Sequence, residues 1–212
     1  MKIIQPSVEA MTEINGAEIL RHVERCGRVC YKSEWKATDT SAESFCRKII
    51  SSGHDSVLEH FTISIKLTVD RGVSHEIVRH RIASYSQEST RYCNYSKGEF
   101  GAQITVIEPC FLEPGTSAYN IWKRSCEHAE TAYFDLLDYG LTPQEARDVL
   151  PNSLKTEIVM SANMREWRHF FKLRTAPAAH PQMRQAATLA LELLRGKIPA
   201  VFDDIEIEET KA

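Results

Sequence analysis

Residues 61–69 read FTISIKLTV. Phe61, Ile63, Ile65, Leu67 and Val69 alternate with Thr62, Ser64, Lys66 and Thr68, the period of a strand with one buried face. It is the clearest element in the chain, and the rest is read outward from it. Upstream, Ile19, Leu20, Val23, Cys26 and Cys30 recur at helical spacing and predict a helix over 15–31. Thr40-Ser-Ala-Glu43 fits a capping box that opens a second helix, closing at Gly53. Downstream, a short helix from Gly72 to about Arg81 leads into a polar, Ser-rich segment through Ser96, and Gln103–Ile107 reads as a strand. Tyr119, Trp122, Cys126, Ala129, Tyr133 and Leu136 mark one face of a long helix ending at Gly140. Thr142-Pro-Gln-Glu145 opens another helix, which stops before Pro151. Leu154, Thr156, Ile158 and Met160 predict a strand, Asn163-Met-Arg-Glu166 caps the helix after it, and His180-Pro181 opens the last helix, through Leu194. The acidic tail, about 203–212, reads as a solvated end. Strands among many helices give an α/β (α+β) class, a small sheet flanked by helices. With no repeat or low-complexity linker, residues 1–212 read as a single domain.

Composition narrows the function. The 212 residues are 42% hydrophobic and 26% charged, with net charge −3, which excludes wholesale disorder, a coiled coil or a bulk polyanion binder. No apolar run approaches the roughly 20 residues of a membrane helix. Met1–Gly16 carries Glu9 and Glu13 and lacks a secretory pattern, so the expected location is cytoplasmic, with reduced thiols. Cys26, Cys30, Cys46, Cys93, Cys110 and Cys126 contain no CxxC and read as buried or half-buried thiols; no metal site is expected. Trp35, Trp122 and Trp167 read as core. Phosphate-loop, dinucleotide-fingerprint, metalloprotease and nucleophile-elbow motifs are all missing.

Chemistry concentrates in residues 71–91, RGVSHEIVRHRIASYSQESTR, with four arginines, two histidines and two glutamates. On the short helix, Glu76, Arg79 and His80 would share a face. Beyond it, Ser84, Ser86, Gln87, Ser89 and Thr90 offer hydroxyls and an amide. Guanidinium forks beside such groups suit a phosphate and a planar polar ring. On these residues alone, a solvated basic helix with its loop, or a non-catalytic nucleotide- or RNA-binding module, stays open.

Arg79-His80-Arg81, seven residues, then Ser89-Thr90-Arg91-Tyr92 closely resembles the signature of the flavin-dependent thymidylate synthases. Three further stretches agree in order: Gly53-His54 with Glu59-His60, then Ala146-Arg147 with Leu150-Pro151, then Asn163, Arg165, Phe170, Leu173 and Arg174. The resemblance spans roughly residues 50–195. It implies conversion of dUMP to dTMP with methylenetetrahydrofolate as carbon donor and FAD reduced by NADPH, in a homotetramer whose sites are shared between subunits. Partners are then small molecules, with no nucleic acid and no membrane. By the same resemblance Glu76, Arg79, Gln87, Glu88, Ser89, Thr90, Arg91, Arg147 and Arg174 match dUMP positions. Ser56, Arg79, His80, Arg81, Asn163, Arg165 and His169 match FAD positions. Ser89 and Arg91 fit the phosphate end, and Arg174 matches the essential arginine at the pyrimidine, where its charge favours a deprotonated, electron-rich ring. Glu76 stands where some members have Gln, Ser86-Gln87 replaces an Asn-Glu pair, and His169 replaces Asn. For His54 and His180, a functional contact and a capping or packing role are both open. Cys110 has no neighbouring base and is a poor candidate for the nucleophile of a cysteine-dependent methyltransferase.

Overall fold

The alternating stretch forms a strand over Thr62–Asp70, with Ile63, Ile65, Leu67 and Val69 buried on one face. A computed structural model, describing residues 1–207, gives the order of elements around it. Strands β1 (Lys2–Ile4) and β2 (Ser7–Ala10) precede helices α1 (Gly16–Arg28) and α2 (Ser41–Ser51). The alternating strand is β3; α3 (Arg71–Ile77), β4 (Ser84–Gln87), β5 (Thr105–Ile107), α4 (Ser117–Asp138) and α5 (Pro143–Ala146) follow. The chain continues through β6 (Lys155–Asn163), α6 (Met164–Arg174), α7 (Pro181–Lys197) and α8 (Pro199–Phe202). One sheet has the order β2-β3-β6-β4, and β1 pairs in parallel with β5, Lys2 opposite Thr105 and Ile4 opposite Ile107. This is the expected mixed α+β architecture.

Contacts gather into two units interleaved along the chain: Met1–Ser7, Leu67–Arg79 and Ser86–Ile158 in the first, Val8–Lys66, His80–Tyr85 and the chain from Val159 onward in the second. In the first, Tyr95, Ile104, Val106, Cys126, Tyr133 and Leu154 make one buried cluster. In the second, α1 packs on α2, and α6 on α7. Its aromatic centre is Trp167, stacked on Phe171 at 5.6 Å, with Phe202 edge-on to Phe171. The Trp167 indole N–H donates to the Ile63 carbonyl at 3.0 Å, so the buried ring leaves no polar atom unsatisfied.

The predicted helix boundaries hold where a cap fixes them. Thr142 donates to the Glu145 carboxylate from its backbone N–H (2.8 Å) and its hydroxyl (2.6 Å), so the expected box forms. Gly140 takes φ +90 just past α4, a conformation that costs glycine little. The box expected at Thr40 is not made. Ser41 Oγ instead accepts from Thr38 N–H and donates to Glu24, while Glu43 pairs with Arg47. The short helix ends earlier than expected, at Ile77, where Arg79 N–H closes a tight turn on the Glu76 carbonyl. Arg79 and His80 therefore do not lie on a helix face with Glu76. The Ser-rich stretch contains β4, which its polar sequence concealed.

Three further expectations are corrected. Trp35 is 79% exposed, its ring covered by the Lys36 ammonium at 5.0 Å, whereas Trp167 is core and Trp122 half-buried. Cys30 and Cys110 are exposed rather than buried. Burial, followed by the Glu24 charge, pushes the Cys46 thiol up to about 12, and burial also raises Cys126. The tail is anchored rather than solvated as far as Ile205: Asp203 pairs with Arg47, Asp204 with Arg168, and Ile205 is buried. Its end, 208–212, lies outside the described residues. No helix among the described residues is long and apolar enough to cross a membrane.

Packing at the start of α1 yields a stability test. A Cβ on Gly16 would lie 2.2 Å from the Lys197 carbonyl oxygen, a backbone atom that cannot swing aside. Gly196, exposed in α7, has nothing within 4 Å. Gly16→Ala is expected to cost about 1–3 kcal/mol, lowering the thermal midpoint by roughly 3–10 °C. Gly196→Ala should raise it slightly, because alanine favours a helix interior. Thermal unfolding of both variants checks the contrast.

Candidate active site

Functional side chains follow the capped ends of two strands. Asp70, the last residue of β3, accepts from Val73 N–H at 2.7 Å and starts α3, which leads to Arg79-His80-Arg81. Asn163, the last residue of β6, accepts from Glu166 N–H at 2.8 Å and starts α6, which ends at Arg174. A short polar acceptor at the cap position satisfies an N–H that the helix itself cannot.

In the first unit, the 87–91 stretch is tied to β6 and α5. The Gln87 amide donates to Ser74 Oγ (2.9 Å) and Thr156 Oγ1 (3.2 Å). Glu88 accepts from Lys155 Nζ at 2.8 Å and from the Tyr95 hydroxyl at 3.1 Å. Burial pulls the Lys155 ammonium down, but the Glu88 hydrogen bond and charge, helped by Glu157, carry its pKa above the ordinary value. Glu88, matched to dUMP by resemblance, is thus engaged in an internal ion pair. Ser89 opens a turn: its carbonyl accepts from Tyr92 and Cys93 N–H, and its Oγ from Arg91 N–H. Arg147, just past α5, donates to Thr90 Oγ1 at 3.4 Å from 57 residues away, and Arg91 donates to Gln144 Oε1 at 3.5 Å. Two guanidinium groups and the Ser89–Thr90 hydroxyls therefore meet on one turn.

In the second unit, His80 is buried with its Nδ1 3.0 Å from Glu166 Oε1. Arg174 Nε donates to His80 Nε2 at 3.1 Å, and the Tyr85 hydroxyl donates to the His80 carbonyl at 2.5 Å. The imidazole lies edge-on to His169 and Phe170. Burial holds the His80 pKa below the ordinary value, and the Arg174 charge adds to that against the opposing pull of Glu166. Burial, then the Glu166 charge, pushes the Tyr85 phenol up to about 12. His80, Glu166 and His169 offer three ligand atoms within 4.8 Å. Both His80 ring nitrogens are already engaged, Nδ1 with Glu166 and Nε2 with Arg174, so a metal ion would displace one of these bonds beside a fixed positive charge. A hydrogen-bonded network is the better physical account.

Arg165 pairs with Glu59 at 2.5 Å, both exposed, and Ser56 lies with His54 on a cavity of about 890 Å³ that Arg28, Lys36, Phe45 and Lys48 also line. His180 caps α7, its Nδ1 accepting from Gln182 N–H. Arg81 and His169 are exposed. Of the residues matched to dUMP, the first unit holds Glu76, Arg79, Gln87, Glu88, Ser89, Thr90, Arg91 and Arg147, and the second holds Arg174. Of those matched to FAD, the second holds Ser56, His80, Arg81, Asn163, Arg165 and His169, and the first holds Arg79. Sequence reasoning missed Lys155, Tyr95, Gln144 and Glu166 as partners. Glu166 was legible only as a helix-start residue.

The Arg91 and Arg147 guanidinium groups, held by neutral partners, have the chemistry to meet a phosphate. The chain belongs to the thymidylate synthase complementing protein family, whose model matches residues 14–200. The flavin-dependent thymidylate synthase of Mycolicibacterium gilvum (strain PYR-GCK) is 36% identical over 220 residues, covering 95% of this chain and 85% of that protein. That of Geobacter sulfurreducens is 36% identical over 190 residues, covering 86% and 80%. Among solved structures, a UMP/dUMP methylase, PolB from Streptomyces cacaoi bound with 5-Br dUMP, has the same fold, with TM-score 0.77, 23% identity and 96% of each chain covered. The family resemblance seen in the motifs is borne out, and the protein is an enzyme, a methyltransferase, rather than a passive binding module.

The Glu88–Lys155 pair gives a direct test. Lys155→Met should lower stability by about 1–3 kcal/mol, because it strands a part-buried carboxylate. Adding Glu88→Gln should recover most of the loss. Urea unfolding of the single and double variants measures both effects.

Proposed function

We propose that the protein methylates dUMP to dTMP, with methylenetetrahydrofolate as carbon donor, FAD as its bound redox group and NADPH as reductant. The observation that carries this reading is the pairing of Arg91 and Arg147. Among the described residues their contacts are with neutral groups, the Gln144 amide, the Tyr92 ring and the Thr90 hydroxyl. Such partners fix a guanidinium's direction without cancelling its charge, which is what a nucleotide phosphate requires. Ser89 adds a hydroxyl to the same turn.

Arg174 is assigned to the pyrimidine. A guanidinium beside ring N3 favours the deprotonated form, and the added electron density makes C5 the better nucleophile toward a one-carbon unit. His80 accepts from the Nε edge of Arg174, and burial disfavours a charge on its ring. Glu88 keeps the turn's first residue in place through Lys155 and Tyr95. The cavity bearing Ser56 fits a group that is part phosphate and part ring, with Lys36 and Lys48 for the one and Phe45 for the other. FAD, when bound, supplies the hydride that completes the methyl group. Homotetramer assembly with sites shared between subunits, and a cytoplasmic location, belong to the same proposal and rest on the family resemblance.

Anaerobic incubation of dUMP with NADPH, methylenetetrahydrofolate and added FAD should form dTMP; a colourless protein with no turnover would reject the reading. Arg174→Ala is expected to lose roughly 10²–10³ in turnover while keeping its flavin. Wild-type turnover in that variant removes Arg174 from its role. The Ser89→Ala/Arg91→Ala pair should weaken dUMP binding by about tenfold or more, with FAD affinity nearly constant. Titration of the flavin spectrum separates the two affinities, and equal losses would contradict the phosphate assignment.

A further inference from the structure

Helix α6 carries Glu166 in its first turn and Arg174 in its last, and the His80 imidazole touches both. The two contacts have a determined polarity. A guanidinium has donors only, so at 3.1 Å the Nε2 atom of His80 must accept from Arg174 Nε and cannot carry a proton. A neutral imidazole has one N–H, which then sits on Nδ1, 3.0 Å from Glu166 Oε1. The carboxylate is the accepting end of the chain. Glu166 is itself fixed, since its backbone N–H is held by the Asn163 cap and only 7% of the residue is exposed.

We propose that Glu166 is a positioning residue for Arg174: by taking the Nδ1 proton of His80 it places the ring's lone pair on Nε2 and so fixes the direction of the guanidinium. The role rests on the reading of Arg174 at the pyrimidine. Losing the carboxylate would let an Nε2–H tautomer form, which opposes a donor to a donor and turns the arginine away. The titratable and charged groups that face His80 are Glu166, His169 and Arg174 on α6 and the Tyr85 phenol. Among the described residues, none of the others lies within hydrogen-bond reach of Nδ1 in place of Glu166.

The test uses the flavin-loaded enzyme. In wild-type protein labelled with ¹⁵N-histidine, the His80 signal, identified by its absence from His80→Asn, should show a protonated Nδ1 and a bare Nε2. An Nε2–H form overturns the proposal without any substitution at Glu166. Glu166→Leu, which has no acceptor for the Nδ1 proton, should weaken dUMP binding by roughly tenfold, Glu166→Gln, whose amide oxygen can still accept it, by less, and Glu166→Leu on an Arg174→Ala background by under twofold. Equal losses on both backgrounds, or unchanged affinity in a folded, flavin-loaded Glu166→Leu protein, overturn the role. If Arg174→Ala itself leaves dUMP affinity unchanged, the functional reading of Arg174 fails first and the positioning role falls with it, even with the tautomer as described.

Discussion

Strands β3 and β6 each bury every second side chain. Ile63, Ile65 and Leu67 are fully enclosed on one, Thr156, Ile158 and Met160 on the other. A slip of one residue would turn these side chains outward, so the register of both strands is fixed by the cost of exposing them. Whatever follows such a strand is delivered to a fixed place. Asp70 and Asn163 each turn the chain at once from strand into helix, and each satisfies a first-turn N–H with a side-chain oxygen. The residues assigned to the site in the proposal, from Arg79 through Arg91 and again at Arg174, come after these two junctions. Core alternation, capping and site are thus one causal sequence.

That sequence was largely legible because its first two steps are local. Alternation fixed β3 and β6, and single residues such as Thr142, Asn163 and His180 announced the helices that follow them. What stayed hidden depends on contacts far along the chain. β4 is Ser-Tyr-Ser-Gln, with no apolar period, and owes its place to the sheet rather than to its own composition. β1 is three residues long and is specified by pairing with β5. Thr40-Ser-Ala-Glu43 has the letters of a capping box, yet Glu24 and Arg47 offer its side chains better partners. Trp35 reads as core from its chemistry alone, but a Trp packed under a lysine can stay at the surface. Glu166 shows the same limit inside the site: its spacing predicts a cap, and only the fold brings His80 to its carboxylate.

The arginines carry the functional argument one step further, because what each can do is decided by the charge of its partner. Arg28 lies on Glu24 and Arg168 on Asp204, both with little exposure on the arginine side. Those positive charges are cancelled locally and serve the packing. Arg165 pairs with Glu59 at the surface, where water and salt weaken the bond, so an anionic ligand can replace the carboxylate readily. Arg91, Arg147 and Arg174 are held instead by an amide, a hydroxyl and a neutral imidazole. For Arg91 and Arg147 these partners take up a donor and set a direction but leave the charge. At physiological salt, charges are screened over about 8 Å, so a net charge of −3 for the whole chain does not prevent such groups from presenting a strong local field. Neutralising the His80 ring by burial matters for the same reason. An imidazolium there would repel the guanidinium it holds, while the neutral ring accepts its Nε hydrogen bond and anchors it.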